Sequence, residues 1–70
     1  MGPGRYRIVV RGGLSERFAS AFGGMTLHVA DGHTTLEGDL RDQSELFGVL
    51  ERVRDLGLEL VRVEPLAHSG

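Results

Sequence analysis

Residues Tyr6 to Arg11 alternate in polarity, the period of a strand with one buried face. Tyr6, Ile8 and Val10 fall on one side, and Arg5, Arg7, Val9 and Arg11 on the other. Gly12-Gly13 breaks the run. Ser15, preceded by Leu14, then suits the N-cap of a short helix through Phe22, with Phe18 and Phe22 one turn apart on its apolar side. Gly23-Gly24 supplies the stop for that helix.

The clearest local signal is a hairpin. Met25 to Ala30 and His33 to Leu40 flank Asp31-Gly32, a pair that favours a type I′ turn. A two-residue loop sets Ala30 opposite His33, His28 opposite Thr35 and Leu27 opposite Leu36. Met25, Leu27, Val29, Leu36 and Leu40 then share one face, and Thr26, His28, His33, Thr35, Glu37 and Asp39 the other. Turn chemistry and apolar alternation agree on this one register.

Asp42, with Glu45 three residues on, opens a second helix as a capping-box variant. Leu46, Val49, Leu50, Val53 and Leu56 continue it as one apolar stripe, and Gly57 is its C′ glycine. Gly48 sits inside this helix at a cost of ~1 kcal/mol relative to alanine. A last strand runs from Leu58 to Glu64 and ends at Pro65. Its two faces compete, because turning Leu58, Leu60 and Arg62 inward would bury a charge. Val61 and Val63 are therefore expected under the helices, with Leu60 on the open face near Val9.

The element order is thus β-α-β-β-α-β. This predicts an α+β fold, the ferredoxin-like sandwich: a four-stranded antiparallel sheet in the order 4-1-3-2 with two helices on one face. The 70 residues make one domain, 1–70, with an ordered core over about 5–65. A chain of this length buries only about 60–65% of its extended surface. With no cysteine it has neither disulfide nor thiolate site to supplement the core, and a partner surface is a common remedy. Ten acids against eight arginines leave a net charge of −2, which creates no field favouring nucleic acid or anionic membrane. No apolar run approaches the roughly 20 residues that span a bilayer, and Met1-Gly2-Pro3-Gly4 lacks the apolar core of a signal peptide. A cytoplasmic location is expected. Every base is arginine, which reads first as codon bias in a GC-rich source.

Candidate chemistry is sparse, and no catalytic residue is assigned. Without cysteine, and with scattered serines, no nucleophile–base–orienter set is visible. Glu37 and Asp39 share a strand face with Arg5, Arg7 and Arg11 opposite. Cross-strand ion pairs would hold them ionised, which makes poor general acids. His28 and His33 lie diagonally on the hairpin face, but a metal centre needs three or four fixed ligands, so no metal or other cofactor is expected. Gly12, Gly13, Leu14 and Ser15 form the best small-ligand candidate, since glycine amides converge there at a helix N-terminus. Base stacking in the manner of an RNA-recognition motif is rejected. The open-face positions of strands one and three carry Arg5, Arg7, Val9, Arg11, Thr35, Glu37 and Asp39, with no aromatic among them.

Gly13-Leu14 after a strand, followed by helix, hairpin and a second helix and strand, resembles the ACT-type regulatory domain. That resemblance implies pairing between copies and amino-acid binding near the first loop. The proline common before that glycine is absent. Heavy-metal transfer domains and acylphosphatases of the same fold need cysteines or an asparagine that this chain lacks. The run from Leu36 to Leu50, with Asp55 to Leu60, is similar to short uncharacterised ferredoxin-like proteins of actinobacteria. That likeness spans residues 6–64 and implies the fold but no activity.

These observations predict a non-enzymatic interaction module acting through self-association or docking to a protein partner. The alternative is an ACT-like domain sensing an amino acid or small anion at Gly12 to Ser15. Homo-oligomerisation, as a dimer or a ring, is expected through the open sheet face, with pairing through edge strand two or four as the competing geometry. Val9 and Leu60 form its apolar centre, ringed by Arg7, Arg11, Arg62, Glu37 and His28. No nucleic-acid or membrane partner is expected.

Overall fold

The computed structural model describes residues 4–12 and 22–66. Strands β1 (Gly4–Arg11), β2 (Thr26–Ala30), β3 (His33–Leu40) and β4 (Glu59–Pro65) form one antiparallel sheet. Their order, β2-β3-β1-β4, is the expected 4-1-3-2 read from the other edge. Among the described residues there is one helix, α1 (Gln43–Asp55), between β3 and β4. Of the first helix expected from Ser15 to Phe22, all but Phe22 lies outside the described residues. No described helix is long and apolar enough to cross a membrane.

The hairpin has the expected register, with Ala30 opposite His33, His28 opposite Thr35 and Leu27 opposite Leu36. Asp31 and Gly32 take φ of +52° and +77°, the two positive values a type I′ turn requires. β1 runs beside β3 without a slip, from Gly4 opposite Leu40 to Arg11 opposite His33. One close approach stands out. Gly38, opposite Tyr6, has the Met25 backbone against it, and a Cβ there would lie 3.2 Å from the Met25 Cα.

α1 starts and stops by side-chain and backbone capping. The Asp42 carboxylate accepts the Glu45 N–H at 2.9 Å. Glu45 turns back in the manner of a capping box, but onto the Arg41 N–H at 2.6 Å and the Arg41 guanidinium at 3.0 Å. At the far end Gly57 has φ +74°, its N–H donates to the Arg54 carbonyl at 2.9 Å, and the Leu58 N–H reaches the Val53 carbonyl at 3.0 Å. That pair of bonds is a Schellman motif. Leu46, Val49 and Val53 are the buried stripe of α1, with Leu50 packed partly against the core and Leu56 more than a third exposed. Gly48 has no described atom within 4 Å of where a Cβ would stand, so it serves no close approach among the described residues.

The core lies between α1 and one face of the sheet. Tyr6, Ile8, Val10, Leu36 and Leu40 come from the strands, Leu46, Val49 and Val53 from α1, with Phe22 and Met25 beside them. Burying such side chains contributes roughly 1.5–3 kcal/mol each. Thr34 is also fully buried on this face, and its hydroxyl donates to the Gly12 carbonyl at 2.7 Å.

β4 departs from the expected face assignment. Its ladder with β1 sets Ile8 opposite Val63 and Val9 opposite Arg62, then Val10 opposite Leu60 and Arg11 opposite Glu59. Val61 is the extra residue of a β-bulge. Cross-strand partners share a face, so Leu60 and Val63 lie on the core side with Val10 and Ile8, and Arg62 on the open side with Val9. Leu60 is therefore not the open-face leucine expected, and Val61 is not under the helix. The bulge resolves the competition between the two faces. It shifts the parity by one residue, so that Leu58, Leu60 and Val63 all turn inward while Glu59, Arg62 and Glu64 turn out.

Candidate functional site

The face of the sheet away from α1 is a grid of four strands. Register places Thr26, Glu37, Arg7 and Glu64 in one row. His28, Thr35, Val9 and Arg62 make the next, and Ala30, His33, Arg11 and Glu59 the third. Asp39 and Arg5 continue it beyond Glu37 and Arg7. Strand alternation puts these side chains together on β1, β2 and β3, and on β4 the bulge at Val61 brings Glu59 to the same face as Arg62 and Glu64.

Charges on this face neutralise one another. Arg7 reaches Glu37 on β3 at 2.9 Å and Glu64 on β4 at 3.4 Å, tying three strands with one guanidinium. Arg62 also meets Glu64 at 3.4 Å, Arg11 meets Glu59 at 3.3 Å, and Arg5 meets Asp39 at 3.7 Å. The cross-strand pairing of Glu37 and Asp39 with β1 arginines is therefore as expected. The pKa of Arg7 is raised above its ordinary value, first by its hydrogen bond to Glu37 and by that residue's charge, against desolvation, with the hydrogen bond and charge of Glu64 adding less. Such half-exposed pairs contribute little to stability individually.

At the centre of the face lies a shallow depression of about 380 Å³. Val9, 7% exposed, is among its lining residues; Val61, 40% exposed, offers the accessible apolar surface. Arg7, Glu37, His28, His33, Thr35 and Arg62 complete most of the wall. Five residues expected at an interface, Arg7, Val9, His28, Glu37 and Arg62, thus meet here, with Arg11 one row away. Leu60 is the exception, being on the other side of the sheet. Val61 takes its place, and only the bulge makes that so.

The loop candidate fares differently. Gly12 has φ +99°, its N–H donates to the Gly32 carbonyl at 2.6 Å, and its carbonyl accepts the Thr34 hydroxyl. Its amide is spent within the fold and is not offered to an anion. Gly13, Leu14 and Ser15 lie outside the described residues. No group of three or more potential metal ligands occurs among the described residues. The His33 Nδ1 lies 3.1 Å from the Asp31 carbonyl oxygen, a contact internal to the turn.

Residues 5–64 match a sequence family described as a domain of unknown function, DUF8691, and the chain belongs to that family. The matched span covers the whole grid, from the Arg5–Asp39 pair to Glu64. No curated protein and no solved structure is significantly similar to the chain.

Proposed function

We propose that this family member is a non-enzymatic interaction module that associates with a second copy of itself through the open sheet face. The observation that carries the reading is the layout of that face: an apolar spot at Val9 and Val61 inside a ring of arginines and acids of balanced charge. An apolar centre with a polar rim is the anatomy of a small interface, and a surface carrying both signs is able to match itself. Every carboxylate on the three rows and on Asp39 has an arginine partner, which favours recognition over proton transfer.

The sheet edges are poorer contact surfaces. β4 is bulged at Val61 and ends in Pro65, and β2 has only five residues, all devices that blunt edge pairing. Strand spacing and rise make the open face roughly 20 Å by 20 Å, so a face-to-face pair falls at the small end of specific interfaces. A dimer that dissociates on dilution follows. The finer fold assignment, a ferredoxin-like βαββαβ sandwich, belongs to the same proposal and is supported by the strand order and by α1 packing on one face only. Sensing of a small ligand draws no support from Gly12, whose amide is already bonded.

Sedimentation equilibrium from low to high micromolar concentration tests the reading. A mass rising from one chain toward two is the expected result. A mass of one chain throughout, from folded protein, overturns it.

A further inference from the structure

We propose that the two copies pair about a two-fold axis parallel to the strands, between β1 and β3, which sets His33 against Arg11 and His28 against Arg62 of the second copy and loosens the pair as the histidines protonate. This rests on the self-association proposed above.

The axis follows from register and charge. A two-fold parallel to the strands keeps each residue at its own level and exchanges strands on either side of it. Between β1 and β3 it lays β1 over β3 of the second copy and β2 over β4, the one inter-strand position that covers all four strands. Because Arg5, Arg7, Val9 and Arg11 are level with Asp39, Glu37, Thr35 and His33, arginine then meets acid across the interface at two levels. An axis along β1 would set its arginines on themselves. An axis perpendicular to the strands would also lay β1 on β1, arginine against arginine. An axis between β1 and β4 gives matched charges but leaves β2 and β3 uncovered.

The histidines occupy positions that meet arginine rather than acid across the pair. At the third level Arg11 faces His33 of the second copy, and at the Val9 level His28 faces Arg62. With Nδ1–H donating to the Asp31 carbonyl, neutral His33 keeps Nε2 as an acceptor for a guanidinium. Protonation removes that acceptor and adds a like charge. Within its own copy His33 faces Arg11 on β1 and Ala30 on β2, with His28 and Val9 diagonal and Asp31 in the turn. His28 faces Thr35, with Glu37 and His33 diagonal. Beyond them β4 contributes Glu59, held by Arg11, and Arg62. The depression holds two arginines and two acids, Arg7 and Arg62 against Asp31 and Glu37, so two protonated histidines leave it two charges positive.

The dimer dissociation constant should rise roughly tenfold between about pH 7.5 and about pH 5.5. The double variant His28→Gln/His33→Gln should dimerise with no such dependence. Arg7→Glu and Glu37→Arg should each be folded and monomeric by circular dichroism and sedimentation, and mixing them should restore a heterodimer. If either fails to fold, Arg5→Asp with Asp39→Arg makes the same test one rung away. Equal affinity at both pH values, pH dependence surviving in the double variant, or single charge reversals that still dimerise would overturn this inference and leave self-association standing. A wild-type chain that is monomeric at both pH values overturns the self-association itself.

Discussion

Leu60 stands opposite Val10 in the β1–β4 ladder, and the residue after it, Val61, is the bulge that lets both leucine and Arg62 reach their own sides of the sheet. That one inserted residue decides which apolar side chain is offered on the open face. Val61→Glu should therefore give a folded monomer. Leu60→Glu should leave association intact and lower stability by about 1 kcal/mol, since Leu60 is only partly covered on the core side. Sedimentation and chemical denaturation of the two variants check this; the reverse pattern would mean that Leu60, not Val61, is at the interface.

Gly38 is held against Met25. A Cβ at Gly38 would stand 3.0 Å from the Met25 Cγ and 3.2 Å from its Cα. The side chain is able to swing away, but the backbone of Met25 is not. Gly38→Ala should cost about 1–3 kcal/mol in urea denaturation, as an overpacked core does. An alanine variant as stable as wild type would show that β2 has freedom to move.

The turn gives a cleaner backbone test. Gly32 has φ +77°, which a β-branched residue resists. Gly32→Val should destabilise by about 1 kcal/mol or more, whereas Gly32→Asn should cost distinctly less, because asparagine tolerates that region. Thermal melts of the two variants are to be compared, and equal melting points would count against the type I′ turn.

Glu45 is a pH-dependent element of folding. Its carboxyl is held below its ordinary value, first by the Arg41 backbone N–H and then by the Arg41 guanidinium, against partial desolvation and the charge of Asp42. A depressed folded value means that the stabilisation is fully present above the unfolded carboxyl range and is lost as pH falls through the folded value. In a carbon-detected NMR titration Glu45 should titrate at lower pH than an unpaired glutamate. Arg41→Ala should raise its midpoint but leave the backbone contribution.

Much of the fold was readable along the chain, because the rules involved are local. Asp31-Gly32 defined its own turn, and a two-residue loop left one register for Leu27 against Leu36. Asp42 and Gly57 marked the ends of α1, and the period of its apolar residues marked the buried side. Alternation along β1 and β3 was enough to bring Arg7 to Glu37 and Arg5 to Asp39 once the strands were neighbours.

What the tertiary structure decided is of another kind. A strand's own alternation reports only parity within that strand, and Leu58 to Glu64 carries two conflicting parities. Whether a residue is inserted depends on what lies opposite: Ile8 and Val10 need apolar partners in the core, while Val9 and Arg11 lie on the open side of the sheet, and the bulge at Val61 satisfies both. The Gly12 amide likewise met a carbonyl twenty residues away, at Gly32, which no local motif could announce. Sequence alone determined each described element and most of its faces. The balance of burial against charge between β1 and β4 chose which valine faces outward, because desolvating Arg62 costs more than adding one unpaired residue to an edge strand.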